Sequence, residues 1–123
     1  EEVTLICYGP MVDTCLEAAK EASQEGRKLE VIDVRSLSPL DMATVYESVR
    51  RTTRAIVVQE APRTQGVGAE IAARLGEELY YVMEAPVLRV TGWSTPYPPA
   101  KAEGEHIPDV DRILDAVDRS LAF

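Results

Sequence analysis

The chain has 123 residues, 46% of them hydrophobic and 28% charged, and its 21 acidic side chains outnumber its 13 basic ones for a formal net charge of -8. That length predicts a single domain over residues 1–123 that buries roughly two-thirds of its unfolded surface. The negative balance disfavours duplex DNA and anionic membranes and suits a basic partner.

Two cysteines, Cys7 and Cys15, are too few for a disulfide scaffold and fit a reducing compartment. No apolar run approaches the ~20 residues of a membrane helix, and the opening Glu1-Glu2 does not read as a secretory leader. The absence of an initiator Met suggests a processed chain or a piece of a longer one.

Val3 to Cys7 (VTLIC) predicts a buried strand that ends at Tyr8-Gly9-Pro10. Pro10 suits a helix start, since its missing amide is not needed in the first turn. Val12, Cys15, Leu16, Ala19 and Ala22 then mark one helical face, and Gly26 marks its end. Leu29 to Val34 reads as a second strand. Ser38-Pro39-Leu40-Asp41 predicts the next helix start, with Ser38 as N-cap and Met42, Val45, Tyr46 and Val49 as the buried stripe. Arg50, Arg51 and Arg54 read as solvated charge complementing the helix dipole.

The organising stretch is Ala55 to Gly76, AIVVQEAPRTQGVGAEIAARLG. Ala55 to Val58 suits a buried strand, Gln59-Glu60 is its polar tip, and Ala61-Pro62 is expected to break it. A glycine loop with Gly66 and Gly68 leads into a helix whose Val67, Ile71 and Leu75 share a face. This is half of a parallel βαβ unit. Leu79 to Met83 reads equally as a helix end or an extended link. Val87 to Val90 predicts a fourth strand. Gly92 to Pro108 is a long loop with Pro96, Pro98, Pro99 and Pro108, and such loops are functional or packed on something. Val110, Ile113, Leu114, Val117 and Leu121 predict a final helix. The fold class is α/β: three layers, with a doubly wound, mainly parallel sheet of four strands.

Candidate chemistry is sparse. The lone His106 lies in the proline-rich loop and reads as an ordinary polar loop residue. Gly66-Val67-Gly68 lacks the third glycine of a dinucleotide fingerprint, since Ile71 stands there. It is a tight turn with exposed amides, where an anion can bind. Glu60 lies at the carboxyl end of a strand, where open α/β sheets keep their sites, or else accepts hydrogen bonds from loop amides. Trp93 and Tyr97 are either contact residues or packing over the sheet's end. No catalytic or metal-binding set is complete, which favours an assembly module or a stand-alone small-anion binder over a free-standing enzyme.

The segments VTLICYGPMV, LEVIDVRSLSPLD, AIVVQEAPRTQGVGAEIAARL, MEAPVLRVTGWSTPYPPA and HIPDVDRILDAVDRSLAF cover nearly the whole chain. In that order they resemble the C-terminal, transketolase-type domain of the beta subunit of thiamine-diphosphate-dependent 2-oxo acid dehydrogenases, of the pyruvate or branched-chain 2-oxoisovalerate type. The resemblance implies a five-stranded mixed sheet whose antiparallel strand precedes Val3 and is missing here. The remaining four would run second, first, third, fourth, with a switch crevice between Gly9-Pro10 and Gln59-Glu60. It implies no catalytic, cofactor or metal residues in this chain, because thiamine diphosphate and Mg²⁺ are held by the alpha subunit and the beta subunit's N-terminal domain.

The implied role is assembly of an α2β2 heterotetramer, with the alpha subunit and a second beta subunit as partners, and docking of the acyltransferase core. In pyruvate dehydrogenase relatives the basic peripheral subunit-binding domain of that core meets a beta-subunit acid, matched by Glu84, and the terminal carboxylate, matched by Phe123. A second acid of some relatives corresponds to Leu88. Glu60, Gly66, Gly68, Trp93 and Tyr97 remain crevice or interface candidates. The setting implied is the cytoplasm, or the mitochondrial matrix in a eukaryote. A C-terminal domain from another transketolase-family enzyme carries the same signals.

Overall fold

A computed structural model describes residues 1–123. Four strands, β1 (Val3–Cys7), β2 (Leu29–Asp33), β3 (Ala55–Pro62) and β4 (Leu88–Gly92), form one sheet in the order β2-β1-β3-β4. Every pairing is parallel, with Val3 opposite Leu29, Thr4 opposite Ala55 and Ile56 opposite Leu88. The expected strand order is the observed one.

β1 is central and buried along its whole length, which is why its sequence is a continuous apolar run rather than an alternation. Alternation decides which core each side chain joins. Val3, Leu5 and Cys7, with Ile56 and Val58, face α1 (Met11–Gln24) and α5 (Val110–Leu121). Ile6, Ala55 and Val57 face α2 (Met42–Thr52) and α3 (Val67–Leu79). The sheet is thus sandwiched between two helical layers. Thr4 is the polar exception on the α2 side, and its hydroxyl is satisfied by Ser48 Oγ at 2.8 Å and Thr52 Oγ1 at 2.7 Å.

Several expectations need correction. The buried stripe of α1 is Met11, Cys15, Ala18 and Ala22, while Leu16 is 53% exposed and Ala19 is not fully buried. Both registers are apolar at helical spacing, and the smaller residues win because α1 sits close to the sheet and beside α5. The α2 helix starts at Met42, not after Ser38. Asp41 is its N-cap, accepting from the Thr44 amide at 3.1 Å and the Thr44 hydroxyl at 2.6 Å. The Ser38–Pro39 peptide is cis, in a turn where Leu37 and Leu40 bridge. Tyr46 is only partly buried, and Ser48 and Thr52 complete the stripe.

β3 ends at Pro62 as expected, but Ala61 and Pro62 belong to the strand rather than following it. The strand continues through a register shift, and Pro62 pairs with Gly92, a place where proline is tolerated because the ladder is already broken by the irregularity. Gly92 is required there, since a Cβ would lie 2.2 Å from the Glu60 carbonyl oxygen. β4 accordingly runs from Leu88 to Gly92 rather than stopping at Val90.

The α3 helix ends at Leu79, with a turn over Tyr80 to Met83 whose Val82 and Met83 amides donate to Leu79 O. The long loop folds into a 3-10 turn (Ala100–Ala102) and a one-turn helix, α4 (Glu103–His106). His106 is not an ordinary loop residue: it is 4% exposed, with its ring against Tyr97 at 5.1 Å. At the end of α2, Arg50 pairs with Glu78 at 3.1 Å and Arg51 with Glu30 at 2.7 Å.

Candidate functional site

The order β2-β1-β3-β4 puts the switch point between the carboxyl ends of β1 and β3, where the connections leave toward opposite layers. The residue that builds this crevice is Gln59, fully buried at the tip of β3. Its Oε1 accepts from the Gly68 amide at 2.8 Å and from the Tyr8 hydroxyl at 3.2 Å. Its Nε2 donates to Pro62 O at 3.1 Å and Ala61 O at 3.4 Å. One side chain therefore ties the β1 exit, the β3 irregularity and the start of α3 together.

Gly66 is the N-cap of α3 at φ +88°. A Cβ on Gly68 would fall 2.6 Å from Gln59 Oε1, so only glycine lets the helix approach. The Gly68 amide, which an anion at this loop would need, is already committed to Gln59.

Glu60 and Tyr97 line a cavity of about 260 Å³ together with Pro62, Thr95 and His106. The Tyr97 hydroxyl donates to Glu103, and that bond, with burial and the charges of Glu103 and Glu60, pushes the phenol up to about 12. Burial, then the Glu60 charge, also raises the Tyr8 phenol. Both hydroxyls therefore stay protonated donors at neutral pH. Trp93 lies apart from this group. Its indole Nε1 donates to Glu105 O at 2.9 Å, and the Arg112 guanidinium stacks on its ring at 4.6 Å. What the crevice offers is hydrogen bonding and one carboxylate.

The opposite end of the sheet holds the other two candidates. Arg54, just ahead of β3, is only 17% exposed at its side chain. It donates through Nη1 to Glu84 Oε2 at 2.5 Å and through Nε to Ser120 O at 3.1 Å. Solvation is therefore not its fate, as the sequence suggested; it joins Glu84 to the last turn of α5, three residues before Phe123. The Glu84 amide is fixed to Thr53 O at 3.0 Å, while its Oε1 makes no hydrogen bond within the chain and faces solvent with the rest of the exposed carboxylate.

Beside Glu84 lies a cavity of about 550 Å³ walled by Tyr80, Met83, Pro86 and Val87. Tyr80 and the 98% exposed Tyr81 stand edge to face next to it, and Phe123 is 68% exposed. Exposed aromatics around a carboxylate are the composition of a contact surface.

The sequence places Gln59 at the crevice but not its four hydrogen bonds, and it leaves Arg54 and His106 as ordinary polar residues. Gln59 carried a signal, a polar residue closing an apolar strand. Arg54 and His106 carried none, because their partners are distant in sequence.

The family model described as "Transketolase, C-terminal domain" matches residues 1–113. The pyruvate dehydrogenase E1 component subunit beta of Leifsonia xyli subsp. xyli is 53% identical over 122 residues, covering 99% of this chain and 36% of that protein. The 3-methyl-2-oxobutanoate dehydrogenase subunit beta of Mycobacterium tuberculosis is 50% identical over 121 residues, covering 98% of this chain and 35% of that protein. The chain thus spans about a third of the length of these relatives. A solved split gene transketolase, described as an inactive beta4 tetramer, superposes with a TM-score of 0.84 at 29% identity over 98% of this chain and 38% of its own. A 2-oxoglutarate:ferredoxin oxidoreductase from Magnetococcus marinus shares the fold, with a TM-score of 0.61 at 18% identity.

Proposed function

The chain belongs to the transketolase C-terminal domain family, and from that membership we propose that it is the assembly and docking domain of a 2-oxo acid dehydrogenase beta subunit. The identities of 53% and 50% to two such beta subunits support this over other members of the family. In this assignment the parent enzyme decarboxylates a 2-oxo acid and passes the acyl group to lipoamide, in the cytoplasm or the mitochondrial matrix. Thiamine diphosphate and Mg²⁺ supply that chemistry. The residues here do not fit the metal: no three His, Cys, Asp or Glu side chains converge. The likeness to the two beta subunits assigns the cofactor to other parts of the parent, and no step is routed through this chain.

Two surfaces divide the work. The crevice end, with Glu60, Gly66, Gly68, Trp93 and Tyr97, is assigned to contacts with the alpha subunit and the second beta subunit. The Glu84 end, with Phe123, is assigned to the basic peripheral subunit-binding domain of the acyltransferase. The observation that carries the docking role is Arg54, which joins Glu84 to the end of α5 beside the Tyr80 cavity. A carboxylate whose outer oxygen is free, set among exposed aromatics, suits a basic partner with an apolar contact.

The test is affinity of the assembled heterotetramer for that binding domain, with wild-type beta subunit and with Glu84→Lys. A loss of tenfold or more is expected, and unchanged affinity would remove the site. The TM-score of 0.84 to a split gene transketolase favours a second reading, a C-terminal domain of a transketolase-type enzyme. A thiamine-binding motif on the same polypeptide would select it.

A further inference from the structure

Ion pairing leaves a specific remainder in this acidic chain. Arg27, Arg35, Arg50, Arg51, Arg54, Arg74 and Arg119 each pair with a carboxylate. The other arginines, Arg63, Arg89 and Arg112, do not, and all three line one cavity of about 500 Å³. Acidic residues outnumber basic ones 21 to 13, so guanidiniums without acids have ample choice of partner elsewhere, yet they converge. Like charges in a shared cleft repel, and something other than carboxylates must hold them.

Backbone and an indole do so. Arg63 Nη1 donates to Arg89 O at 3.2 Å, and Arg89 Nη1 donates to Arg63 O at 2.8 Å. Arg112 stacks on Trp93 and donates through Nη2 to Thr91 O at 2.5 Å. Its Nη1 is buried with no acceptor. Burial lowers its pKa, outweighing the opposing pull of the Asp109 charge. Three acids, Asp109, Asp111 and Asp115, also line the wall, where Arg119 joins the three arginines. Asp109 caps α5 by accepting from the Arg112 amide at 2.8 Å, and Asp115 faces Arg119 at 3.8 Å. Asp111 alone of them makes no bond within the chain.

We propose that this cavity binds a small multivalent oxyanion of the phosphate or polyphosphate type, with Arg63, Arg89 and Arg112 as its cationic contacts. Planar guanidiniums held by groups that leave their charge intact are pre-organised for such a ligand, because binding need not break an existing ion pair. The site borders the Gly66 loop, which contributes Arg63, and shares Trp93 with the crevice end; it lies away from the Glu84 surface assigned to docking.

The experiment is calorimetric titration of inorganic pyrophosphate into the assembled parent protein, with sodium chloride at matched ionic strength as reference. Three variants are compared: Arg63→Gln, Arg89→Gln and Arg35→Gln. Arg35 is an exposed arginine outside the cavity. Saturable binding is expected, weakened about tenfold or more by either cavity variant and unchanged by Arg35→Gln. Having two cavity variants guards against misfolding of one. Absence of binding beyond the chloride reference overturns the proposal, as does binding indifferent to both cavity variants. Equal weakening by Arg35→Gln does the same, since bulk charge then explains it. A cavity filled by an acidic side chain of a partner subunit would show itself as looser assembly in the variants with no pyrophosphate binding, which also overturns it.

Discussion

Gln59 is a fully buried amide whose oxygen and nitrogen each serve two partners, on Gly68, Tyr8, Ala61 and Pro62. Replacing it with leucine of similar size would strand the buried Gly68 amide and remove the acceptor of the Tyr8 hydroxyl. Gln59→Leu is expected to lower unfolding free energy by about 2–3 kcal/mol in urea titration, on the cost of buried unpaired groups. A change under ~0.5 kcal/mol, the usual range for surface substitutions, would show that the crevice is not built on it.

Asp41 gives a pH signature instead. Hydrogen bonds from the Thr44 hydroxyl and amide hold its carboxyl below the ordinary 3.8. A depressed folded pKa contributes stability above the unfolded value and loses it as pH falls through the folded value. Asp41→Ala should therefore lower the urea midpoint at pH 7, and the gap from wild type should close as pH falls below about 3.8. A gap that persists undiminished in acid would mean that the cap is not electrostatic. In the sequence Asp41 reads as the acid at the third position of a helix capped by Ser38. The choice between Ser38 and Asp41 as cap depends on the turn that Leu37 and Leu40 form, which no local pattern displays.

At the scale of elements, the strands and helices were legible because parallel sheets demand unbroken apolar runs and helices demand a stripe. VTLIC, AIVV and the α5 pattern leave little else for those segments to be. What local pattern could not decide was rotation and extent. The α1 helix offers two apolar registers, and the one that buries Ala18 rather than Leu16 follows from how closely the sheet and α5 approach. Ala18→Leu is therefore expected to cost about 1–3 kcal/mol through overpacking, while Leu16→Ala should stay within about 0.5 kcal/mol as an exposed substitution. Thermal or urea unfolding of the pair checks this, and reversed magnitudes would place the wrong face inward. β3 likewise runs on past Glu60 to its proline because Gly92 on β4 makes room for the Glu60 carbonyl. That contact joins residues 32 apart, so reading either segment alone suggests two shorter strands.

Across the whole molecule, the two candidate surfaces sit at opposite ends of the sheet: Gln59, Glu60 and the glycine loop at the carboxyl ends of the strands, Arg54 and Glu84 at the amino ends. Glu84 and Phe123 were read from resemblance, whereas Arg54, which joins their neighbourhoods, emerges only from the packing of α5 against the start of β3. Separation of the ends would let subunit assembly and docking proceed without competing for surface. Hydrogen exchange of the assembled heterotetramer, with and without the acyltransferase's peripheral subunit-binding domain, tests that division most directly. Added protection is expected over residues 80–88 and 117–123, with 59–68 unchanged. Protection that falls on 59–68 instead, or on neither end, would contradict the assignment of docking to the Glu84 surface.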